Sequence, residues 1–152
     1  CLSKRQSPNQ ERSMLRLIAP ALSLLLALPL AAQAASKQDY DLNTMLQKVA
    51  KESSVGTPRA INEDILDQGY TVEGKALINH LSVRADHAAR MQANPEQVRS
   101  QLGDSVCRNS GFRNLMSKGA VMVYRFTVYK TNQPLMDQAF DSASCVAGNK
   151  KK

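Results

Sequence analysis

Apolar residues recur along this chain at two different periods, and the places where the period changes mark out its elements. Over residues 39–53, Leu42, Met45, Leu46, Val49 and Ala50 fall at i, i+3, i+4, i+7 and i+8, which places them on one stripe of a helix. Asp39 and Asp41 near its start and Lys48 and Lys51 near its end suit the helix dipole. Gly56, Thr57 and Pro58 break the pattern. Two runs come next, 61–72 and 76–84, either side of Glu73-Gly74-Lys75, and a glycine between β-branched runs predicts a hairpin. In the second run Leu77, Asn79, Leu81 and Val83 share one face, while Ile78, His80, Ser82 and Arg84 share the other. The first face is read as core and the second as wetter.

Helical spacing returns at 86–93. Asn94-Pro95 then reads as an N-cap followed by proline at the first helical position, and 96–107 continues with Val98, Leu102 and Val106. Phe112, Leu115 and Met116 predict a further turn or two of helix, ended by Gly119. The clearest strand is 120–130, with Met122, Tyr124, Phe126 and Val128 alternating against Val121, Val123, Arg125, Thr127 and Tyr129. A turn at 131–134 leads into a last strand, 135–144, with Cys145 closing the element. Helix, hairpin, helices, hairpin is the order of an α+β domain: an antiparallel sheet of about four strands in two hairpins, with helices packed on one face. Residues 146–152 read as a polar, basic, disordered tail.

Upstream of the first helix the pattern is of another kind. After Met14 and Arg16, residues 17–30 are almost wholly apolar and end on Ala32-Gln33-Ala34, the charged, apolar and small-residue regions of a secretory signal peptide over 14–34. Residues 1–13 read as sequence upstream of a start at Met14, and residues 35–145 as a single domain. The leader changes the charge picture. The whole chain carries 20 Lys and Arg against 13 Asp and Glu. Without Lys4, Arg5, Arg12, Arg16 and Glu11, the 118 residues from Ala35 hold 16 basic and 12 acidic groups, and Lys150, Lys151 and Lys152 supply much of the surplus. The folded body is near neutral, with no field suited to nucleic acid. No stretch after the leader approaches the roughly 18–20 apolar residues of a transmembrane helix.

Export also decides how the cysteines are read. Cys1 precedes the leader, which leaves Cys107 and Cys145 as an even pair in a periplasmic or secreted bacterial protein, where a disulfide is expected. The first position after the Ala32-Gln33-Ala34 site is Ala35, not the cysteine of a lipid-anchored protein.

Little in the chain points to catalysis. A metal-dependent or hydrolytic enzyme would use His80, Asp86 and His87, but no zinc-ligand spacing accompanies them, so no metal and no cofactor are expected. Ser82, Ser105 and Ser110 lack a nucleophile motif. The carboxylate pairs Glu63-Asp64 and Asp137 with Asp141, the latter read as sharing one strand face, suit a solvated sheet surface. Tyr70, Tyr124, Phe126, Tyr129 and Phe140 beside Arg125 and Lys130 would make a stacking platform for single-stranded nucleic acid only if exposed, and are assigned to core and sheet face instead. The three terminal lysines would give at most weak contact with an anionic surface.

The order of Pro58, Ile61-Asn62, the hairpin at Glu73-Gly74-Lys75 followed by Leu77-Ile78, the helix carrying Cys107, Leu115-Met116 with Gly119, the strand Val123-Tyr124-Arg125-Phe126 and finally Cys145 is similar to that of a known family. It resembles the small exported bacterial quorum-sensing-regulated virulence factors, whose fold is like that of one class of type II secretion pilotins. The resemblance implies an α+β domain with Cys107 bonded to Cys145, no catalytic residues, and a role in secretion or virulence through contact with another envelope or secreted protein. Such a partner would present a helix or an extended strand to the sheet, or to the groove between sheet and helices.

Overall fold

A computed structural model describes the backbone of residues 29–150 and the side chains of 37–146. Residues 1–28, which include Cys1 and most of the expected signal peptide, and Lys151 and Lys152 lie outside the described residues. The first helix, α1, runs Pro29–Ser53 and so starts ten residues before the expected 39–53. Ala, Leu, Gln and Lys fill the added turns, with proline tolerated at the first position. The part of α1 up to Gln38 falls in a separate unit from Asp39 onward, and the second unit holds every strand among the described residues.

Five strands form one sheet in chain order: β1 (Arg59–Ala60), β2 (Ile65–Glu73), β3 (Ala76–Val83), β4 (Val121–Val128) and β5 (Pro134–Phe140). Both expected hairpins are present, β2 with β3 and β4 with β5. The all-antiparallel arrangement of about four strands is corrected in two respects. β3 and β4 pair in parallel, from Ala76 opposite Val121 to Val83 opposite Val128. Three helices, α2 (Ala85–Ala93), α3 (Pro95–Arg108) and α4 (Ser110–Ser117), carry the chain from the end of β3 back to the end where β3 began. A strand entered after such a crossover runs parallel to its neighbour. The fifth strand, β1, is two residues long, with Arg59 opposite Asp67 and Ala60 opposite Leu66, too short to show an alternation.

Pro95 is the first residue of α3 as expected, but Asn94 does not cap with its side chain, which donates instead to the Arg90 carbonyl. The expected last strand stops at Phe140, and α5 (Ser142–Lys150) occupies the positions expected for the strand end and the tail. Asp141 explains the change: its Oδ1 accepts the Ser144 backbone N–H at 3.0 Å, while the Asp141 N–H donates to Ser144 Oγ at 3.2 Å. That reciprocal pair opens a helix, and the hydrogen bonds hold the Asp141 carboxyl below its ordinary range.

From Asp39 onward, the helices pack on one face of the sheet among the described residues. Leu42, Leu46 and Ala50 of α1, Val106 of α3, Leu115 and Met116 of α4 and Cys145 of α5 pack with Leu77, Met122 and Phe140. Ala88 and Met91 of α2 pack with Leu81, Val83 and Phe126. The Sγ atoms of Cys107 and Cys145 are bonded, with their Cα atoms 5.4 Å apart, which ties α3 to α5.

One buried polar network interrupts this core. Asp67, 5% exposed, accepts the Gly69 N–H at 2.9 Å and the Asn79 side-chain amide at 3.0 Å. It organises an irregularity in β2 between Asp67 and Tyr70, where Gly69 adopts φ +101°. A Cβ on Gly69 would meet Thr57 Oγ1 at 3.0 Å and Ser54 Oγ at 3.1 Å. Ser54 cannot give way freely, because its Oγ accepts the Tyr70 N–H at 2.8 Å and so clamps the end of α1 to the edge of β2.

Candidate functional site: the open face of the sheet

The face away from the helices is set by the strand registers. Thr71 and Glu73 of β2, Ile78, His80 and Ser82 of β3, Val121, Val123, Arg125 and Thr127 of β4, and Asp137 and Ala139 of β5 alternate with the core residues. None of them belongs to either core cluster. Because β3 and β4 are parallel and in register, His80 stands beside Arg125, and the antiparallel β5 sets Asp137 on the other side of Arg125.

Arg125 is the centre of this face. Its Nε lies 3.3 Å from both carboxylate oxygens of Asp137, and its Nη2 is 3.3 Å from Oδ2. Its Nη1 reaches back across β3 to within 4.0 Å of Glu73 Oε1. The guanidinium thus bridges carboxylates from β2 and β5, two strands that are not neighbours. Ile78 lies beneath that reach and is 1% exposed although no described helix covers it. A long arginine stem shields apolar surface while its head stays wet. His80 Nε2 is 2.6 Å from Thr71 Oγ1. Partial burial, and then the Arg125 charge, hold its imidazole below the ordinary histidine range, with Glu73 and Asp137 opposing. What results is a sheet face with half-buried Val123, fully covered Ile78 and a bridged row of opposite charges across it. It offers recognition by shape and charge.

His80, Asp86 and His87 do not form a site. His80 is on the open face with Thr71, whereas His87 is on α2, its Nδ1 3.2 Å from Arg90 Nη2 and 3.8 Å from Asp64 Oδ2. Among the described residues no group of three or more His, Cys, Asp and Glu could hold a metal ion. Glu63 and Asp64 sit in the β1–β2 loop, where Asp64 also faces Arg90 at 3.8 Å. Asp137 and Asp141 are not on one strand face: the former answers Arg125 and the latter opens α5. Ser105 and Ser110 are exposed, and Ser82 is buried.

Tyr70, Tyr124, Phe126 and Phe140 face the core, whereas Tyr129 does not. Tyr124 meets Phe140 edge to face at 6.2 Å, and the Arg99 guanidinium stacks over Phe140 at 4.5 Å, so no stacking platform forms. Burial, reinforced by Tyr70, pushes the Tyr124 hydroxyl up to about 12. Tyr70 is raised as well, by burial and by Asp67 against an opposing Arg59. Tyr129, 45% exposed, stands at the end of the sheet with Lys130 near its ring.

These features define a class: a small disulfide-stapled α+β protein whose mixed sheet keeps one face free of helices among the described residues. The family of that class is shown by comparison. Residues 35–146 match the model of the family described as "Putative quorum-sensing-regulated virulence factor", and the chain belongs to that family. Its fold matches the crystal structure of a protein from Pseudomonas aeruginosa described as a putative secreted protein, at 69% identity and TM-score 0.70 over 71% of this chain and 96% of that one. The fold is also similar to that of EpsS, a type 2 secretion system pilotin from Vibrio vulnificus (15% identity, TM-score 0.63, 72% of this chain and 96% of that one). It is likewise similar to AspS, a type II secretion system pilotin from Vibrio cholerae (19% identity, TM-score 0.59, 74% of this chain and 99% of that one). At those identities the pilotins share the fold alone. No curated protein matches the chain. Neither the family nor these neighbours are described as enzymes.

Proposed function

We propose that this chain is an exported, non-enzymatic binding module of secretion or virulence, periplasmic or extracellular, whose partner is another envelope or secreted protein docked on the open face of the sheet. The observation that carries the reading is the composition of that face: half-buried Val121 and Val123 beside the Glu73, Arg125 and Asp137 row, with no described helix over it. Stable protein contacts combine such an apolar centre with a polar surround. The leader pattern over 14–34 and the descriptions of the family and the Pseudomonas relative support export. The pilotin neighbours support a protein as the ligand, with the fold as the only link.

Site-specific photo-crosslinking tests the reading. A crosslinking residue placed at Val123 on the open face, compared with one at exposed Gln101 on α3, is expected to give one discrete adduct from Val123 alone. Arg125→Glu, which turns a bridged row into three negative charges, is expected to abolish it. Adducts of equal yield from both positions, or none from Val123, would refute the docking surface.

A further inference from the structure

At the end of the sheet where β3 and β4 finish, a cavity of about 150 Å³ opens between the β1–β2 loop and the strand ends, walled by Ala60, Asn62, Leu66, Ser82, Arg84 and Tyr129. Leu66 and Ser82 pair across β2 and β3, and Ser82 pairs with Thr127, so the cavity continues the open face of the sheet. Its loop wall is rigid without any guest. Asn62 Oδ1 accepts the N–H groups of Asp64 and Ile65 at 2.8 and 2.9 Å, Ile61 N–H donates to the Ile65 carbonyl at 2.9 Å, and Arg84 N–H donates to the Asp64 carbonyl at 2.9 Å.

Three observations narrow what the cavity takes. The first is Ser82, which is 2% exposed and whose hydroxyl is the one buried side-chain polar atom without a hydrogen-bond partner among the described residues. An unpaired buried hydroxyl is costly, and a guest that completes it removes the cost. The second is charge: Asp64 is already answered by Arg90, which leaves Glu63 and Arg84 of opposite sign among the lining residues and favours a neutral guest. The third is size, since a cavity of about 150 Å³ holds one benzene ring. A neutral, ring-sized body with one hydrogen-bonding tip is a phenol.

We infer that this cavity is a binding site for a phenol group, its ring against Leu66 and Tyr129 and its hydroxyl bonded to Ser82 Oγ, supplied by a tyrosine side chain of the protein docked on the open face. The source of the phenol rests on the proposed binding function; the site itself does not. A buried aromatic anchor in a pocket beside a flatter contact is how interfaces concentrate their affinity.

Amide NMR titration of the full chain with p-cresol and with toluene tests the site. p-Cresol is expected to shift the amides of Leu66, Ser82, Arg84 and Tyr129 saturably and to bind about tenfold tighter than toluene, the worth of one hydrogen bond. Ser82→Ala is expected to erase that difference while raising the melting temperature, because it deletes an unpaired polar atom. Equal binding of the two probes by the unaltered protein, no saturable shift from either, or a lower melting temperature for Ser82→Ala overturns the assignment. An Ala-Tyr-Ala tripeptide amide separates the sources: tighter binding than p-cresol supports a partner's tyrosine, and refusal of the peptide where p-cresol binds overturns that source in favour of a free phenol. Loss of the Val123 crosslink with p-cresol binding intact would refute the docking surface and leave the phenol site standing.

Discussion

Removing the Cys107–Cys145 bond, by Cys107→Ala with Cys145→Ala or by reduction, is expected to be among the costliest changes the domain can suffer. The bond closes a separation of 38 residues that contains α4, β4 and β5. For a loop of that length the entropy restored to the unfolded chain corresponds to about 4 kcal/mol. Cys145 is also 8% exposed in the larger core cluster beside Phe140 and Val106, so the alanine pair loses packing as well. Against a total stability of about 5–15 kcal/mol, that is a large fraction. For a domain of this size it amounts to a fall in midpoint of roughly 15–25 °C. Thermal melts by far-ultraviolet circular dichroism of the oxidised protein, the reduced protein and the double variant measure it. A fall of only about 3 °C in both altered forms would refute the argument, since chain entropy acts whatever the local packing. A large fall in the double variant with none on reduction would place the effect in the packing of Cys145.

Gly69→Ala is expected to cost about 2–3 kcal/mol in urea unfolding, combining the left-handed backbone with displacement of the Ser54 clamp. Leu46→Ala, at a position with 0% exposure between α1 and the sheet, should cost about 3 kcal/mol. His80 should titrate below 6.5 in the folded protein by NMR, and Arg125→Ala should move it upward by removing the second of its two causes. Because the native state then binds fewer protons than the unfolded chain, stability is expected to rise with pH between the depressed value and 6.5 and to level off above it; His80→Gln should flatten that slope. A slope that persists in His80→Gln would assign it to another group.

What can be read from the chain is what is local. The stripe Leu42, Leu46, Ala50 and the alternation Met122, Tyr124, Phe126, Val128 each repeat within a few residues, and both faces point to the core in the structure. Parallel pairing of β3 with β4 depends on where three intervening helices return the chain, which no short window contains. β3 is buried at nearly every position, as in a strand with neighbours on each edge, but its sequence is apolar on one face and carries His80 and Ser82 beside Ile78 on the other, so the pattern alone does not disclose it. Reading Ile78 and Ser82 as wet follows from alternation alone, but both are buried. The Arg125 row is hidden for the same reason, since its members lie on three strands whose register follows from the parallel seam. Asp67-x-Gly69 and Asp141-x-x-Ser144 are legible as turn and cap chemistry, and their meaning is masked by the hydrophobic pattern around them.

The parallel seam also bears on how the chain reaches its native state. β2 with β3, and β4 with β5, join residues close in sequence, whereas Leu77 meets Met122 only across 45 intervening steps of chain. Contacts of long sequence separation are late and slow to form. The two hairpins are therefore expected to exist as independent halves before they meet, with the inner faces of α2, α3 and α4 exposed in the interval. The sulfurs of Cys107 and Cys145 sit on opposite sides of that delay, one on the crossover and one after the second hairpin. Premature oxidation to another thiol would hold the halves apart, so the rate of correct oxidation reports on the docking of the two hairpins.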